Sequence, residues 1–273
     1  MKSRRSFLSK SILLAAGGLV LKPNRLVSQP SLKTATPLPS LKGKKVLFIH
    51  GGWPGHEPVK FKDYMVPWLE ESGATVEIFD NLEPYTYPEF MDTIDLVIQI
   101  HTMSKITKME ESGLLRAVKQ GTGMAGWHGG MCDAFRQNVA YQFMTGGQWV
   151  AHPGGVVDYS VQVTDKTDAI TSDLGDFKMK SEQYYMHVDP NVKVLATTTF
   201  NGDHDDWING CVMPVAGKKM FGKGRIFYTS LGHNLSHVTE VPEAISIIKR
   251  GIHWASASKY EPAEDWISPA YKS

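Results

Sequence analysis

Residues 45–52 read KVLFIHGG, and the reading of this short stretch decides the fold. The run Val46-Leu47-Phe48-Ile49 is apolar at every position, not at alternate ones, and it ends in Gly51-Gly52. That is the form of a strand covered on both faces, followed by the loop at its carboxyl end. Working outward, VKFKDYMVPWLEESG (59–73) predicts a helix with a glycine stop, in which Pro67 predicts a kink or a late start. TVEIFD (75–80) and DLVIQI (95–100) predict the next strands, and KMEESGLLRAVKQG (108–121) a helix ending at Gly. GMAGWH (123–128) predicts a fourth strand leading into a helix over 133–144. Strands alternating with helices in this way predict an α/β fold, a doubly wound, mainly parallel sheet with helices on both faces.

The second half is richer in β patterns. GVVDYSVQVT (155–164) and VKVLATTTF (192–200) read as strands, and a hairpin is expected around GKG (222–224). PEAISIIKRGIHWAS (242–256), with Pro at its start and apolar residues at helical spacing, predicts a closing helix packed on the sheet.

The chain has 273 residues, enough for one substantial core after a leader. Lys plus Arg number 29 against 28 Asp plus Glu, so the formal charge is +1 and no basic field exists to hold nucleic acid through its phosphates. A small neutral or weakly charged ligand fits better, and an oligomer is compatible with the sequence. Two cysteines, Cys132 and Cys211, are too few for a thiolate metal cage or a disulfide scaffold and can be free or paired.

Residues 1–22 read as an export signal. Arg4-Arg5 precede Phe7-Leu8 and the short apolar run SILLAAGGLVL (11–21), too short to span a bilayer. The arginine pair is similar to a twin-arginine signal, the alternatives being an ordinary secretory signal or a retained anchor. Residues 23–43, rich in Pro, Ser and Lys, read as a linker, residues 44–257 as the folded domain and 258–273 as a tail. The expected location is therefore periplasmic or otherwise extracytoplasmic, with no membrane span once the signal is removed.

The histidines carry the chemistry. In open α/β sheets ligands bind beyond the carboxyl ends of the strands, and among ten histidines three end predicted strands: His50 in LFIHGG, His101 in IQIHTM and His128 in AGWHGG. His56 follows in GGWPGHEP, His152 in GGQWVAHPGG and His233 in YTSLGHN. His56, His128, His152 and His233 are the stronger candidates; His50 and His101 rank below them as packed strand ends, and His187, His204, His237 and His253 read as surface or structural. Gly126-Trp127-His128-Gly129-Gly130 has the spacing of a nucleophile elbow with an imidazole where Ser or Cys usually stands.

These segments, with SEQYY (181–185) and GKGRIFYTSLGHN (222–234), make the chain resemble the ThuA-like, trehalose-utilisation family over about residues 44–257. The resemblance implies a role in sugar metabolism, a flavodoxin-like core in a fold similar to class I glutamine amidotransferases, and a polar pocket lined by His56, His128, His152, Glu182 and His233. It does not fix a reaction. An amidotransferase needs a thiolate at the elbow; the nearest thiol, Cys132, lies four residues beyond His128, so glutaminase activity is not expected.

Two chemistries remain for the elbow imidazole. His56, His128, His152 and His233 are candidate ligands for a divalent metal such as Zn²⁺, although no HxxxH or HExxH pair supports this and the tertiary fold would have to gather them. Alternatively, His128, Glu182 and His56 act as general acid and base on a sugar or keto-sugar glycoside. Trp53, Trp127, His152, Tyr184, His233 and Asn234 are the candidate substrate-binding residues, the aromatic rings being suited to a pyranose face. Asp203, Asp205 and Asp206 read as a solvated loop without the full spacing of a Ca²⁺ site. From another functional class, a non-catalytic carbohydrate-binding or accessory protein would keep the same pocket without turnover.

Overall fold

The computed structural model describes residues 37–264. The expected signal (1–22), most of the linker and the last nine residues of the tail lie outside the described residues. In chain order the strands are β1 (Lys45–Gly52), β2 (Thr75–Phe79), β3 (Leu96–Thr102), β4 (Gly123–Trp127), β5 (Gly147–Ala151), β6 (Val156–Val163), β7 (Phe177–Glu182), β8 (Tyr185–Val188), β9 (Lys193–Thr199), β10 (Val212–Phe221) and β11 (Gly224–Thr229). The helices are α1 (Pro58–Glu71), α2 (Pro88–Thr93), α3 (Lys108–Gln120), α4 (His128–Cys132), α5 (Val139–Thr145), α6 (Leu235–Thr239) and α7 (Pro242–Ser256).

Nine strands form one sheet in the order β2-β1-β3-β4-β11-β10-β9-β6-β7. The first five run parallel, with Phe48 beside Ile98 and Ile98 beside Ala125, and repeat the flavodoxin-like order 2-1-3-4-5 with β11 in the fifth place. From β11 onward each neighbour is antiparallel. The chain leaves the parallel core after β4, builds the antiparallel extension, and returns through the hairpin at Gly222–Lys223 as the fifth core strand. The continuous apolar run of β1 has the expected cause: Val46 and Phe48 feed a hydrophobic cluster with Phe61 and Met65 of α1 and Ile247 and Ile248 of α7, whereas Leu47 and Ile49 feed another with Leu114 and Val118 of α3.

The structure differs from expectation in several places. The helix expected over 133–144 is two short helices separated by 133–138, because Asn138 starts α5 by accepting from the Tyr141 N–H at 2.8 Å. Helix α1 begins at Pro58 and contains Pro67. GGQWVA, expected as loop, pairs as β5 with β8 in a separate two-stranded sheet, Trp149 facing Met186. At the linker boundary, Leu41 is buried in the core and the Pro39 carbonyl accepts from His253 Nδ1 at 2.8 Å, so the packed domain begins before residue 44. At the other end, residues of the expected tail are held by Arg225–Glu261 and Lys218–Glu264 contacts of 2.9 and 3.0 Å.

The antiparallel extension rests on a buried ion pair. Asp168 Oδ2 lies 2.7 Å from Lys218 Nζ, each side chain 4% exposed, and 3.0 Å from Lys193 Nζ. Burial alone would raise the Asp168 carboxyl, but the Lys218 charge together with hydrogen bonds from Lys218, the Ile170 N–H and Lys193 outweighs it and holds the group below its ordinary value. Asp168→Ala is therefore expected to destabilise the protein at the low end of the ~3–5 kcal/mol typical of a broken buried pair, since Glu264 still faces Lys218. The depressed folded-state value means that this contribution is present above the unfolded-state value of about 3.9 and is lost as pH falls below it. Urea denaturation of both proteins between pH 7 and pH 3 should show the two curves converging on acidification.

Candidate functional site

Loops at the carboxyl ends of the parallel strands deliver most of the site. His56 ends a short 3-10 turn (Pro54–His56) after β1, Thr102 closes β3, His128 follows β4, and His233 follows β11. Glu182 arrives from the antiparallel extension at the end of β7, and His152 from the loop after β5. The sequence around His128 allows the sharp turn because its glycines leave no room for a side chain. A Cβ on Gly126 would stand 2.5 Å from the Gln99 carbonyl oxygen, and one on Gly130 2.6 Å from Ile100 Cα. His128 itself has φ +48°, a left-handed conformation that costs a non-glycine residue on the order of 1–3 kcal/mol and concentrates at functional positions. The elbow is thus present with an imidazole at its tip.

Around Glu182 the histidines converge. His128 Nε2 lies 3.1 Å and His233 Nδ1 3.2 Å from Glu182 Oε2, with His56 Nε2 at 3.9 Å; His152 Nε2 is 3.8 Å from Oε1. One ligand atom each from His56, His128, Glu182 and His233 lies within 4.8 Å of the others. The tautomer of His128 follows from its other nitrogen. Nδ1 is 2.7 Å from the Ser230 carbonyl, which can only accept, so Nδ1 carries a proton and Nε2 is the nitrogen aimed at Glu182 Oε2. Tyr184 stacks on the His128 ring at 4.0 Å, Thr102 Oγ1 holds His56 Nδ1 at 3.1 Å, and His233 Nδ1 is buried without a well-formed hydrogen bond.

Burial and neighbouring groups pull the ionisable side chains of the centre in opposite directions. Burial first, then the neighbouring His128, pushes His56 down to about 3, and burial also lowers His128 against the pull of Glu182. Burial alone would raise the Glu182 carboxyl, yet its contacts with His128 and His233 hold it below the ordinary carboxylate range. The centre is therefore an ionised, 8% exposed carboxylate beside His56 and His128, whose charged forms burial disfavours. Three imidazole nitrogens and a carboxylate oxygen are a donor set for a divalent transition ion, and tetrahedral bonds of ~2.1 Å would place ligand atoms about 3.4 Å apart.

Gly129 keeps this packing possible. A Cβ there would lie 2.3 Å from His56 Cε1 and 3.1 Å from the Tyr184 hydroxyl. Gly129→Ala is expected to leave the fold in place, because a side-chain end can swing, but to displace His56 and weaken metal binding by roughly 10–100-fold, as a misplaced support does at metal centres. Calorimetric titration with Zn²⁺ beside a thermal melt separates the two effects.

The candidate residues divide as follows. His56, His128, His233 and Glu182 are brought together; His152, 36% exposed, stands at the rim, so Glu182 takes its place in the candidate ligand set. Trp53 is 43% exposed and edge-on to His56 at 4.8 Å, open to a ligand. Trp127 is corrected: it is 2% exposed and packed on Phe61, a core residue without access to substrate. Tyr184, also 2% exposed, supports His128 with its ring face, so a sugar cannot stack there. Asn234 hydrogen-bonds Glu57, whose carboxylate accepts from the Leu235 N–H at 2.9 Å, and so ties the His56 turn to the loop carrying His233. His50 and His101 stay outside the cluster, and Cys132 is buried, its thiol pushed up by burial. His237 comes closer than expected, its ring 5.8 Å from that of His233. Glu57, Thr102 and the Ser230 carbonyl went unnoticed in the sequence; only the position of Thr102 at a strand end and of Ser230 within YTSLGH signals them.

Fold and centre together define an open α/β protein with a His/Glu cluster where such sheets bind ligands. The chain belongs to the ThuA family, described as trehalose utilisation, whose model matches residues 45–255. Among solved structures, it is similar to a ThuA-like protein from Bacteroides uniformis ATCC 8492 (16% identity, 81% of this chain and 94% of that one, TM-score 0.64). A ThuA-like protein from Parabacteroides merdae ATCC 43184 is comparable (17% identity, 82% and 93%, TM-score 0.63). A cytoplasmic protein from Salmonella typhimurium LT2 is similar at 13% identity over 78% and 98%, with a TM-score of 0.55. At these identities the likeness shows the fold. The search of curated proteins found no match.

Proposed function

We propose that this protein is an exported carbohydrate-active enzyme that works on a sugar or keto-sugar glycoside at the His/Glu centre, with a divalent cation such as Zn²⁺ held by His56, His128, His233 and Glu182. The observation that carries the reading is the convergence of His56, His128, His233 and Glu182, one ligand atom of each lying within 4.8 Å of the others. Family membership, described as trehalose utilisation, supports the substrate class. The cation, when bound, supplies Lewis-acid polarisation of a sugar oxygen or of water. The chain does the rest. Tyr184 and the Ser230 carbonyl fix the His128 ring and its tautomer, Trp53 offers an exposed indole to a ring face, and His152 at the rim is placed to move a proton. Hydrolysis, elimination and keto–enol isomerisation are the reactions in reach, since each requires proton movement beside a polarised sugar oxygen.

Export is proposed from Arg4-Arg5 and the apolar run after them. A twin-arginine route, which carries folded passengers, suits a site assembled from loops as far apart in the chain as His56 and His233. Among the described residues no helix is long and apolar enough to cross a membrane. The test is turnover of glucosides and 3-keto-glucosides by metal-loaded protein: the reading expects products from wild type and none from His128→Ala. Undiminished turnover in that variant would remove the centre from the chemistry, and binding without turnover would place the protein in the accessory class.

A further inference from the structure

A second cavity takes lining residues from two of the chain segments that supply the centre. It is a cleft of about 310 Å³, walled in part by Asp158, Gln183, Asn201, Asp203, His204 and Asp205. Its size falls within the ~300–1,000 Å³ of small-molecule pockets. Two of its lining residues are chain neighbours of the centre, Gln183 following Glu182 and Pro153 following His152, so each is about 3.8 Å away Cα to Cα. The walls are also tied to each other: Gly154 lies so close under the His204 ring that a Cβ there would meet Nε2 at 2.3 Å, which docks the 201–205 loop on the loop carrying His152.

The cleft has a fixed hydrogen-bonding sense. Gln183 is 6% exposed, and its amide nitrogen donates to Thr198 Oγ1 at 2.8 Å and, more weakly, to the Thr199 carbonyl at 3.4 Å. The Thr198 hydroxyl spends its own proton on the Ser160 carbonyl at 2.8 Å, and the Thr199 carbonyl can only accept. Both partners are therefore acceptors, the amide cannot be flipped, and Oε1 is left as an acceptor without a protein partner in a residue that lines the cleft. Asp158, Asp203 and Asp205 add carboxylate acceptors, Asp203 Oδ2 already accepting from Asn201 Nδ2 at 2.6 Å, and among the described residues no Lys or Arg lines the cavity. A wall of acceptors recognises O–H donors, and its negative charge repels phosphate and carboxylate.

We propose that this cleft binds a neutral, hydroxyl-rich saccharide unit, holding the non-reacting part of the substrate beside the His/Glu centre. The inference rests on the carbohydrate reading above and narrows it to unphosphorylated, uncharged sugars. Acceptor groups of this kind, two of them on the exposed 201–205 loop, would contribute charge-assisted hydrogen bonds to sugar hydroxyls.

The test is calorimetric titration of the purified protein with trehalose and, separately, with glucose 6-phosphate, for wild type, the double variant Asp203→Ala/Asp205→Ala, and Gln183→Met. The proposal expects trehalose to bind wild type, to bind each variant roughly tenfold or more weakly, and glucose 6-phosphate to bind none. The double variant lies on a surface loop, so its melt should match wild type, which keeps the result readable if Gln183→Met folds poorly. Repeating the wild-type titration after chelation separates this inference from the metal centre: trehalose binding that survives chelation supports the cleft whatever the centre does. Equal trehalose affinity in wild type and the double variant, no trehalose binding at all, or tighter binding of glucose 6-phosphate would each overturn it.

Discussion

Glu182→Gln is expected to lower divalent-cation affinity by more than ~100-fold while leaving the protein folded, because loss of an outer-shell support alone costs ~10–100-fold and Glu182 is a direct ligand in the proposed centre. The substitution keeps the shape of the side chain and removes its charge. Without a cation the variant should be no more stable than wild type, since the contacts with His128 and His233 that hold the carboxyl below its ordinary range favour its charged form in the folded state. With a cation the gap should widen. Wild type gains about 4 kcal/mol at a free cation concentration a thousand times Kd, and the variant gains little at the same concentration. Thermal melts of both proteins with chelator and with Zn²⁺ give four midpoints, and a cation-induced shift in wild type that the variant lacks is the diagnostic result. Parallel shifts in wild type and variant would mean that the ion binds elsewhere.

Replacing His128 should abolish turnover and should also invert a rule of backbone energetics. Gly in a helix is ordinarily less stable than Ala by ~0.5–1 kcal/mol. At position 128 the residue opens α4 with φ +48°, where any Cβ is strained and glycine is not. Both His128→Ala and His128→Gly lose the stack on Tyr184 and leave the Ser230 carbonyl without its donor, at a cost of ~1–3 kcal/mol for the unpaired group. They differ in the backbone term. His128→Gly is therefore expected to be the more stable of the two by about 1 kcal/mol, with both inactive. Chemical denaturation measures the difference; Ala more stable than Gly would show that the elbow stores no strain.

Much of the fold was legible because its signals are local. The apolar runs of β1, β3 and β4 and the glycine-terminated helix α3 state their own structure, and α3 also carries a capping box between Thr107 and Glu110. The antiparallel extension was legible only in part. Strands β6, β9 and the β10–β11 hairpin show period-two or β-branched patterns, whereas β5 is short and its partner β8 lies more than thirty residues on. That pairing depends on tertiary contacts that no local pattern records.

The site was legible in residue type and opaque in arrangement. Histidines at strand ends could be placed on one rim because the topology puts carboxyl ends together. Which imidazoles meet depends on Glu182, carried by β7 from the far part of the sheet, and no sequence spacing relates it to His56 or His233. Trp127 misled for a related reason: one residue before His128, it points into the core against Phe61. Neighbours along a strand face opposite ways.

The central claim is that Glu182 and three histidines share one cation. Anomalous diffraction at the Zn edge from crystals of Zn²⁺-loaded protein tests it most directly. A single peak bounded by His56, His128, His233 and Glu182, absent from Glu182→Gln crystals, is the predicted result. A loaded crystal with no peak between those four side chains, or with its metal elsewhere on the molecule, would contradict it.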